Sequence, residues 1–275
     1  MLRKEQLVIV RGGGDLATGV IHRLHRCGYP VLVLEMGRPS AIRRQVALSE
    51  AVYDGCSTVE GVTCRKCTSW EQARELLTAG EEVPLLVDPA AAVLDKVKPW
   101  ALIDAIIAKR NLGTTKKMAP KTIALGPGFA AGEDVDLVIE TMRGHNLGRI
   151  LEKGGALADT KTPGNIAGFN RERVLHAPCA GIFQGNCRIG DLVQKGQVVA
   201  WVETREGRVQ VPASLTGLLR GLLRTGYQVT AGFKVGDIDP RQDEYKNCFT
   251  ISDKARNLAG SVLESLLYLE QKQGC

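Results

Sequence analysis

Three consecutive glycines, Gly12, Gly13 and Gly14, stand between an apolar run, Leu7 to Val10, and a periodic apolar stretch. In that stretch Leu16, Ala17, Val20, Ile21, Leu24 and Cys27 recur at three- and four-residue spacing, and Gly28 stands where a helix should stop. A second apolar run, Val31 to Leu34, ends in Glu35. Strand, glycine turn, helix and strand in this order form a βαβ unit, which predicts a parallel sheet. The first half therefore reads as α/β, a Rossmann-like parallel sheet. Later runs, Val83 to Val87, Ala101 to Ile107, Thr122 to Leu125 and Val135 to Ile139, read as more strands, and Ser69 to Leu77 as a helix. The gaps between the later runs are too short for every crossover to hold a long helix.

Gly12-Gly13-Gly14-Asp15-Leu16-Ala17 fits the G-x-G-x-x-G/A fingerprint in its required strand–turn–helix context. Gly12 allows the tight turn, Gly14 lets backbone approach a phosphate, and Ala17 permits close packing of helix on sheet. The helix N-terminus favours an anion, and Glu35 is placed to accept from ribose hydroxyls. Asp15 runs against this, because its charge stands where a phosphate would sit; it also reads as a helix cap. Arg38, Arg43 and Arg44 follow closely, either as forked phosphate donors or as a solvated basic loop. Gly126-Pro127-Gly128-Phe129 and Thr141 to Arg149 each follow a strand, at the carboxyl ends where open α/β sheets bind ligands. Gly126, Gly128, Arg143, His145 and Asn146 therefore join the candidate binding residues, with a plain structural turn as the alternative.

From about Val174 the texture changes to short strands and frequent glycines. Gly190, Val193 and Gly196 follow Gly181 at offsets of 9, 12 and 15, and Gly226, Val229 and Gly232 follow Gly217 at the same offsets. Each copy has a proline upstream, Pro178 and Pro212. Two such repeats of about 36 residues resemble the halves of a biotinyl/lipoyl-like barrel-sandwich hybrid. A carrier of that kind needs a lysine on the hairpin joining its halves, and Glu203 to Pro212 contains none. A docking role then fits better than a swinging arm. Ala255, Leu258, Ala259, Val262, Leu263, Leu266 and Leu267 form the stripe of a closing helix capped by Thr250 or Ser252. The expected divisions are a Rossmann-like domain over 1–171, the β domain over 172–242 and a helical tail over 243–275.

The net charge of +6 is dispersed, with no basic stripe, which suits a small anionic ligand and argues against nucleic acid. No apolar run reaches the roughly 18 residues of a membrane span, and the opening residues lack a signal-peptide pattern, so a cytoplasmic protein is expected. Its 8 cysteines are then expected as thiols. Cys64-x-x-Cys67, with Cys56 nearby, lacks a second pair of ligands, so no metal site is expected. The pair His22 and His25 reads as helix surface.

Taken together, Val10 to Val20, the Gly126 turn, Thr141 to Gly148, Gly236-Asp237-Ile238-Asp239-Pro240-Arg241 and Cys248 to Lys254 resemble the YqeB family. That family is named for the selenium-dependent molybdenum hydroxylase system. The resemblance implies an accessory factor in the maturation of such hydroxylases, binding molybdenum cofactor or a nucleotide. It implies partners among hydroxylase apoenzymes or other maturation proteins, and assigns no catalytic residue. The alternatives are an NAD(P)-dependent oxidoreductase and an enzyme that modifies the cofactor.

Overall fold

The computed structural model describes residues 5–160, 162 and 164–273. Its strands are β1 (Val8–Arg11), β2 (Val31–Glu35), β3 (Cys56–Val59), β4 (Val62–Cys67), β5 (Val83–Val87), β6 (Ala101–Asp104), β7 (Thr122–Leu125), β8 (Leu137–Ile139) and β9 (Ile150–Leu151), then β10 (Val174–His176), β11 (Gly181–Gly185), β12 (Leu192–Val193), β13 (Val198–Thr204), β14 (Gly207–Pro212), β15 (Gly217–Leu222), β16 (Tyr227–Val229) and β17 (Lys234–Asp239). The helices are α1 (Asp15–Arg26), α2 (Ala51–Asp54), α3 (Trp70–Ala79) and α4 (Asp253–Gln273). None of them is long and apolar enough to cross a membrane among the described residues. The chain forms two compact units: unit 1 is Met1–Pro39, Ala47–Thr160 and Ile251–Cys275, and unit 2 is Ser40–Val46 and Lys161–Thr250. The divisions expected from the sequence are thus drawn differently, with α4 inside unit 1 and the short 40–46 segment inside unit 2.

Unit 1 is mixed α/β, built on a nine-stranded sheet ordered β3-β4-β5-β2-β1-β6-β7-β8-β9. The pairs from β4 through β8 are all parallel; β3 and β9 join antiparallel at the two edges. Numbered along the chain, β5-β2-β1-β6-β7-β8 reads 3-2-1-4-5-6, the order of dinucleotide-binding sheets. The central strands β1, β2, β6 and β7 are buried along almost their whole length, as a sheet covered on both faces requires. Among the described residues no α-helix stands between β6 and β7 or between β7 and β8, and α4 packs on β7, β8 and α1. Gly19 makes that packing possible, since a Cβ there would lie 2.7 Å from the Ala255 carbonyl oxygen.

The hairpin β3–β4 was not expected. Its two-residue turn, Glu60-Gly61, has φ of 45° and 82°, the pairing a type I′ turn demands. Glu60 also carries a long-range anchor: its carboxylate accepts from the Ile251 amide (2.9 Å) and from Arg256 (2.6 and 2.8 Å) at the start of α4. His22, expected at the surface, is buried with Nε2 3.3 Å from the Glu60 carbonyl.

Unit 2 holds two antiparallel four-stranded sheets, β10-β17-β15-β12 and β14-β13-β11-β16. The 36-residue repeat maps one onto the other, because β10, β11, β12 and β13 correspond to β14, β15, β16 and β17. Each copy places strands in both sheets, so the copies interlock. Hydrogen bonds cross in pairs: Gly190 donates to the Leu219 carbonyl and Gly226 to that of Phe183, each at 2.8 Å. Gly196 likewise donates to Ala213 and Gly232 to Ala177, each at 2.8 Å. The shared core includes Phe183, Val193, Val199, Leu219, Val229 and Val235, contributed by both copies.

The exit segment of the second copy, Gly236 to Arg241, is engaged within unit 2. Asp237 and Asp239 lie in β17 with 6% and 1% exposure. Arg173 holds Asp237 through two bonds of 2.9 and 3.1 Å, and Arg241 holds Asp239 at 2.7 and 2.9 Å. Arg220 stands between the two carboxylates, at 3.8 and 3.6 Å. Burial alone would raise the Asp239 carboxyl, but the bonds from Arg241 outweigh it and hold it below the usual carboxylate range.

Candidate functional site

The candidate site lies at the carboxyl edge of the unit 1 sheet, where strand order reverses between β1 and β6. β1 ends at Arg11, whose buried guanidinium donates to the Pro89 carbonyl (2.8 Å) and to the Thr114 hydroxyl. Thr114 donates in turn to Asp104 at 2.6 Å, at the end of β6, and Asp104 also accepts from the Ile106 amide at 3.1 Å. Burial pushes the Asp104 carboxyl above its usual range, while Thr114, Ile106 and Arg11 oppose the shift. This buried network ties the two central strand ends together, and no local sequence motif announces it. Just beyond it, Ile107 and Lys109 have φ of 58° and 61°. A β-branched residue in the left-handed region is strained, and such strain collects at ligand-binding loops.

The three glycines of the turn differ in what constrains them. Gly12 has φ of 97° and donates to the Leu34 carbonyl at 2.8 Å; a Cβ there would lie 3.0 Å from the Ala105 carbonyl oxygen. Gly13 is pressed by Ser49, whose amide donates to the Gly13 carbonyl at 2.8 Å. Gly14 adopts an ordinary φ of −65°, and a Cβ there would meet nothing within 4 Å. Packing therefore demands Gly12 and Gly13, while Gly14 borders open space at the first turn of α1. Gly14 is also the N-cap, so Asp15 is the first helical residue and not the cap. Ala17 is buried, as close packing of α1 on the sheet requires.

Glu35 is brought to the turn, and both its oxygens face backbone donors: Gly13 N at 2.8 Å and Met36 N at 2.7 Å. Burial raises its carboxyl from the usual value, and those two bonds only partly offset that. Arg38 is exposed beyond β2. Arg43 and Arg44 do not form a phosphate fork: Arg43 donates to the carbonyls of Asn247 (3.0 Å) and Thr250 (3.3 Å), and Arg44 to that of Leu222 (2.8 Å), all in unit 2.

The two later loops meet each other and their neighbours. A Cβ on Gly126 (φ 81°) would lie 2.7 Å from the Thr141 hydroxyl, and one on Gly128 (φ 106°) 2.6 Å from the Arg110 amide. Gly148 approaches Asn257 and Ser261 of α4 just as closely. Glu140 holds its own loop by accepting from Met142 N (2.7 Å) and Leu157 N (2.8 Å). Arg143 is half-exposed and forks onto Asp253 at 2.9 and 3.1 Å. His145 and Asn146 are exposed, and Asn146 accepts from Arg149 at 3.2 Å. Ser252 caps α4 by accepting from Ala255 N at 3.2 Å. The first turn of α4, which carries Lys254, thereby enters the same edge.

Cys64 and Cys67 are both buried, in one strand, three positions apart. Side chains alternate between the faces of a strand, so the two thiols point to opposite sides and cannot share one ion. Burial raises both thiols above their usual range; at Cys64 the charges of Cys67, Glu82 and Glu35 add to it, and at Cys67 a bond from Leu85 and the charge of Arg65 only partly offset it, so neither is a ready thiolate.

Over 264 residues, 96% of its length, the chain is 51% identical to the protein called "Uncharacterized protein YqeB" of Escherichia coli (strain K12). Over those residues the likeness supports the YqeB family. It spans about half of that curated relative, 48% of its length. No protein-family model matches the chain. Among solved structures, the apo ectoine utilization protein EutE (DoeB) from Ruegeria pomeroyi aligns over 85% of this chain and 86% of its own, at 10% identity and a TM-score of 0.28. An aspartoacylase family protein from Mesorhizobium loti aligns over 85% and 84%, at 13% identity and a TM-score of 0.29. Scores this low support no inference about fold or chemistry. The Val10–Val20, Gly126–Phe129 and Thr141–Gly148 motifs all lie in unit 1, along the carboxyl edge of its sheet.

Proposed function

We propose that this protein binds a phosphate-bearing ligand, a nucleotide or molybdenum cofactor, as an accessory factor in maturing selenium-dependent molybdenum hydroxylases. The observation that carries the binding reading is the open space at Gly14, where a glycine turn meets the first turn of α1 in a sheet of 3-2-1-4-5-6 order. The hydroxylase connection rests on the family resemblance, which reaches both units; the relative's name assigns it no activity. On this reading the partners are hydroxylase apoenzymes or other maturation proteins, in the cytoplasm. The test is calorimetric titration of the full chain with NAD⁺, NADP⁺, ADP, GDP and molybdenum cofactor. Binding of at least one is expected, and binding of none overturns the reading.

A second reading, hydride chemistry on NAD(P), is favoured by Glu35 at the end of β2, the position that contacts ribose hydroxyls in dinucleotide-binding folds. Turnover of reduced nicotinamide with a carbonyl acceptor would separate it from binding alone.

For unit 2 we propose a barrel-sandwich hybrid of the biotinyl/lipoyl type, serving as a docking module without a covalent group. Its support is the exchange of strands between two 36-residue copies. The hairpin between the copies turns through Arg205 and Glu206, where a carrier would present lysine. Intact mass showing biotin or lipoate on the protein would refute the unmodified state.

A further inference from the structure

Met36 and Val87 are exposed at 46% and 41%, at the carboxyl ends of β2 and β5. Single apolar residues on a surface need no explanation. These two, however, are neighbours. Val87 pairs with Glu35 in the parallel register of the two strands, and a Cβ on Gly37 would lie 3.6 Å from Val87 Cγ1. Together they make a small apolar shelf on the same sheet edge as the glycine turn. The adjoining charge is engaged elsewhere, since Asp88 accepts from the amides of Ala92 (2.9 Å) and Val93 (2.8 Å) within its own loop. That loop is held by the buried Arg11, which donates to the Pro89 carbonyl at 2.8 Å. The shelf is thus apolar and fixed in place by the fold itself.

We infer that this shelf receives the base of a nucleotide: Met36 and Val87 pack on the base, the ribose lies against Glu35, and the phosphate reaches the first turn of α1. This assignment rests on the binding reading of the glycine turn given above. It narrows the ligand of that reading to a nucleotide, in preference to a phosphate compound without a base.

Order and spacing carry it. One oxygen of Glu35 accepts from Gly13 N at 2.8 Å and the other from Met36 N at 2.7 Å, so a single carboxylate spans the gap between turn and shelf. In a nucleotide a single ribose spans the gap between phosphate and base. Glu35 is partly exposed, and each of its oxygens keeps a lone pair for a hydroxyl. Outward from α1 the edge therefore offers the open space at the helix N-terminus, then an acceptor, then an apolar face. Phosphate, ribose and base call for these in the same order. Methionine suits the last place, because its polarisable thioether packs favourably against aromatic rings. A phosphate alone would leave both apolar side chains in water and without a part in binding.

The experiment is calorimetry of the full chain with ADP, GDP, ribose 5-phosphate and inorganic pyrophosphate, comparing wild type with the double variant Met36→Gln, Val87→Thr. Both substitutions keep side-chain size at exposed positions, so melting curves should match those of wild type. Wild type should bind the tighter of the two nucleotides at least about tenfold more strongly than either base-free probe. The double variant should weaken that nucleotide by about fivefold or more and leave any binding of the base-free probes unchanged. A nucleotide bound equally by wild type and variant, or all probes weakened alike, overturns the shelf and leaves the phosphate reading intact. Pyrophosphate bound by wild type as tightly as the nucleotides does the same, and this comparison decides if the double variant fails to fold. Molybdenum cofactor bound by wild type with both nucleotides rejected also overturns the shelf alone. Absence of binding by wild type to all of these ligands overturns the binding reading and the shelf together.

Discussion

Gly12 in unit 1 and Gly217 in unit 2 both occupy positions where a side chain would strike a carbonyl oxygen, Ala105 in one and Asp239 in the other. The Gly217 collision has a twin 36 residues earlier, Gly181 against Glu203. The Gly12 collision occurs once, two residues from Gly14, which meets nothing. A constraint that recurs with the repeat belongs to the architecture, because the two copies must interlock in the same way. A glycine that recurs nowhere and faces open space needs another reason, and the ligand proposed above is one. The same comparison isolates the charges of unit 2. The repeat counterparts of Arg173, Arg220 and Asp237 are Val209, Gln184 and Trp201, so the buried ionic cluster is a feature of one sheet alone.

That asymmetry gives the largest expected effect. Asp237→Ala leaves Arg173 buried without its bidentate partner, and removing one member of such a pair costs about 3–5 kcal/mol. Replacing both, as Arg173→Met with Asp237→Leu, should recover most of the loss. Denaturant midpoints of the single and double variants check this. A single variant as stable as wild type would mean the cluster adds nothing to unit 2.

The architectural glycines come next. Gly181→Ala and Gly217→Ala each force a methyl into a carbonyl and should cost about 1–3 kcal/mol. Gly14→Ala, with ordinary φ and open space, should stay within about 0.5 kcal/mol of wild type. Melting curves that failed to separate these classes would break the comparison. Ser252→Ala removes the cap of α4 and should cost about 1 kcal/mol.

The smallest effect is one of pH. Burial raises Glu35 in the folded protein, so the folded state holds its proton at pH values where the unfolded chain has released it. By linkage, the stability contributed by this group is present below the ordinary carboxylate value and is lost as pH rises through the folded value. Glu35→Gln should flatten that fall between the two values. Identical profiles for wild type and variant would show that Glu35 does not contribute it.

The parts of the fold set by local pattern were legible. The turn at Gly12–Gly14, the helix ending before Gly28, the Ser252 cap and the repeat at Gly181 and Gly217 all follow from short-range spacing. The hairpin β3–β4 was legible only at Glu60-Gly61, a two-residue turn signal between Val59 and Val62, because the Cys64-x-x-Cys67 spacing resembles half of a metal site and hides the alternation of a strand. Arg43 and Arg44 looked like phosphate ligands because they follow Glu35 in sequence, but the chain leaves unit 1 after Pro39 and they serve carbonyls of unit 2. Thr114 between Arg11 and Asp104 was illegible for a physical reason: it is a meeting of distant segments decided by how loops pack on the sheet.

The central claim is that the space at Gly14 receives a phosphate-bearing ligand, and Gly14→Val tests it most directly. Its Cβ would meet nothing within 4 Å, so the side chain extends into that space. Calorimetry of wild type with nicotinamide, adenine and guanine nucleotides and molybdenum cofactor, alongside melting curves, should show a ligand bound by wild type and lost in Gly14→Val, with the fold retained. Binding of that ligand to Gly14→Val as tightly as to wild type would contradict the account.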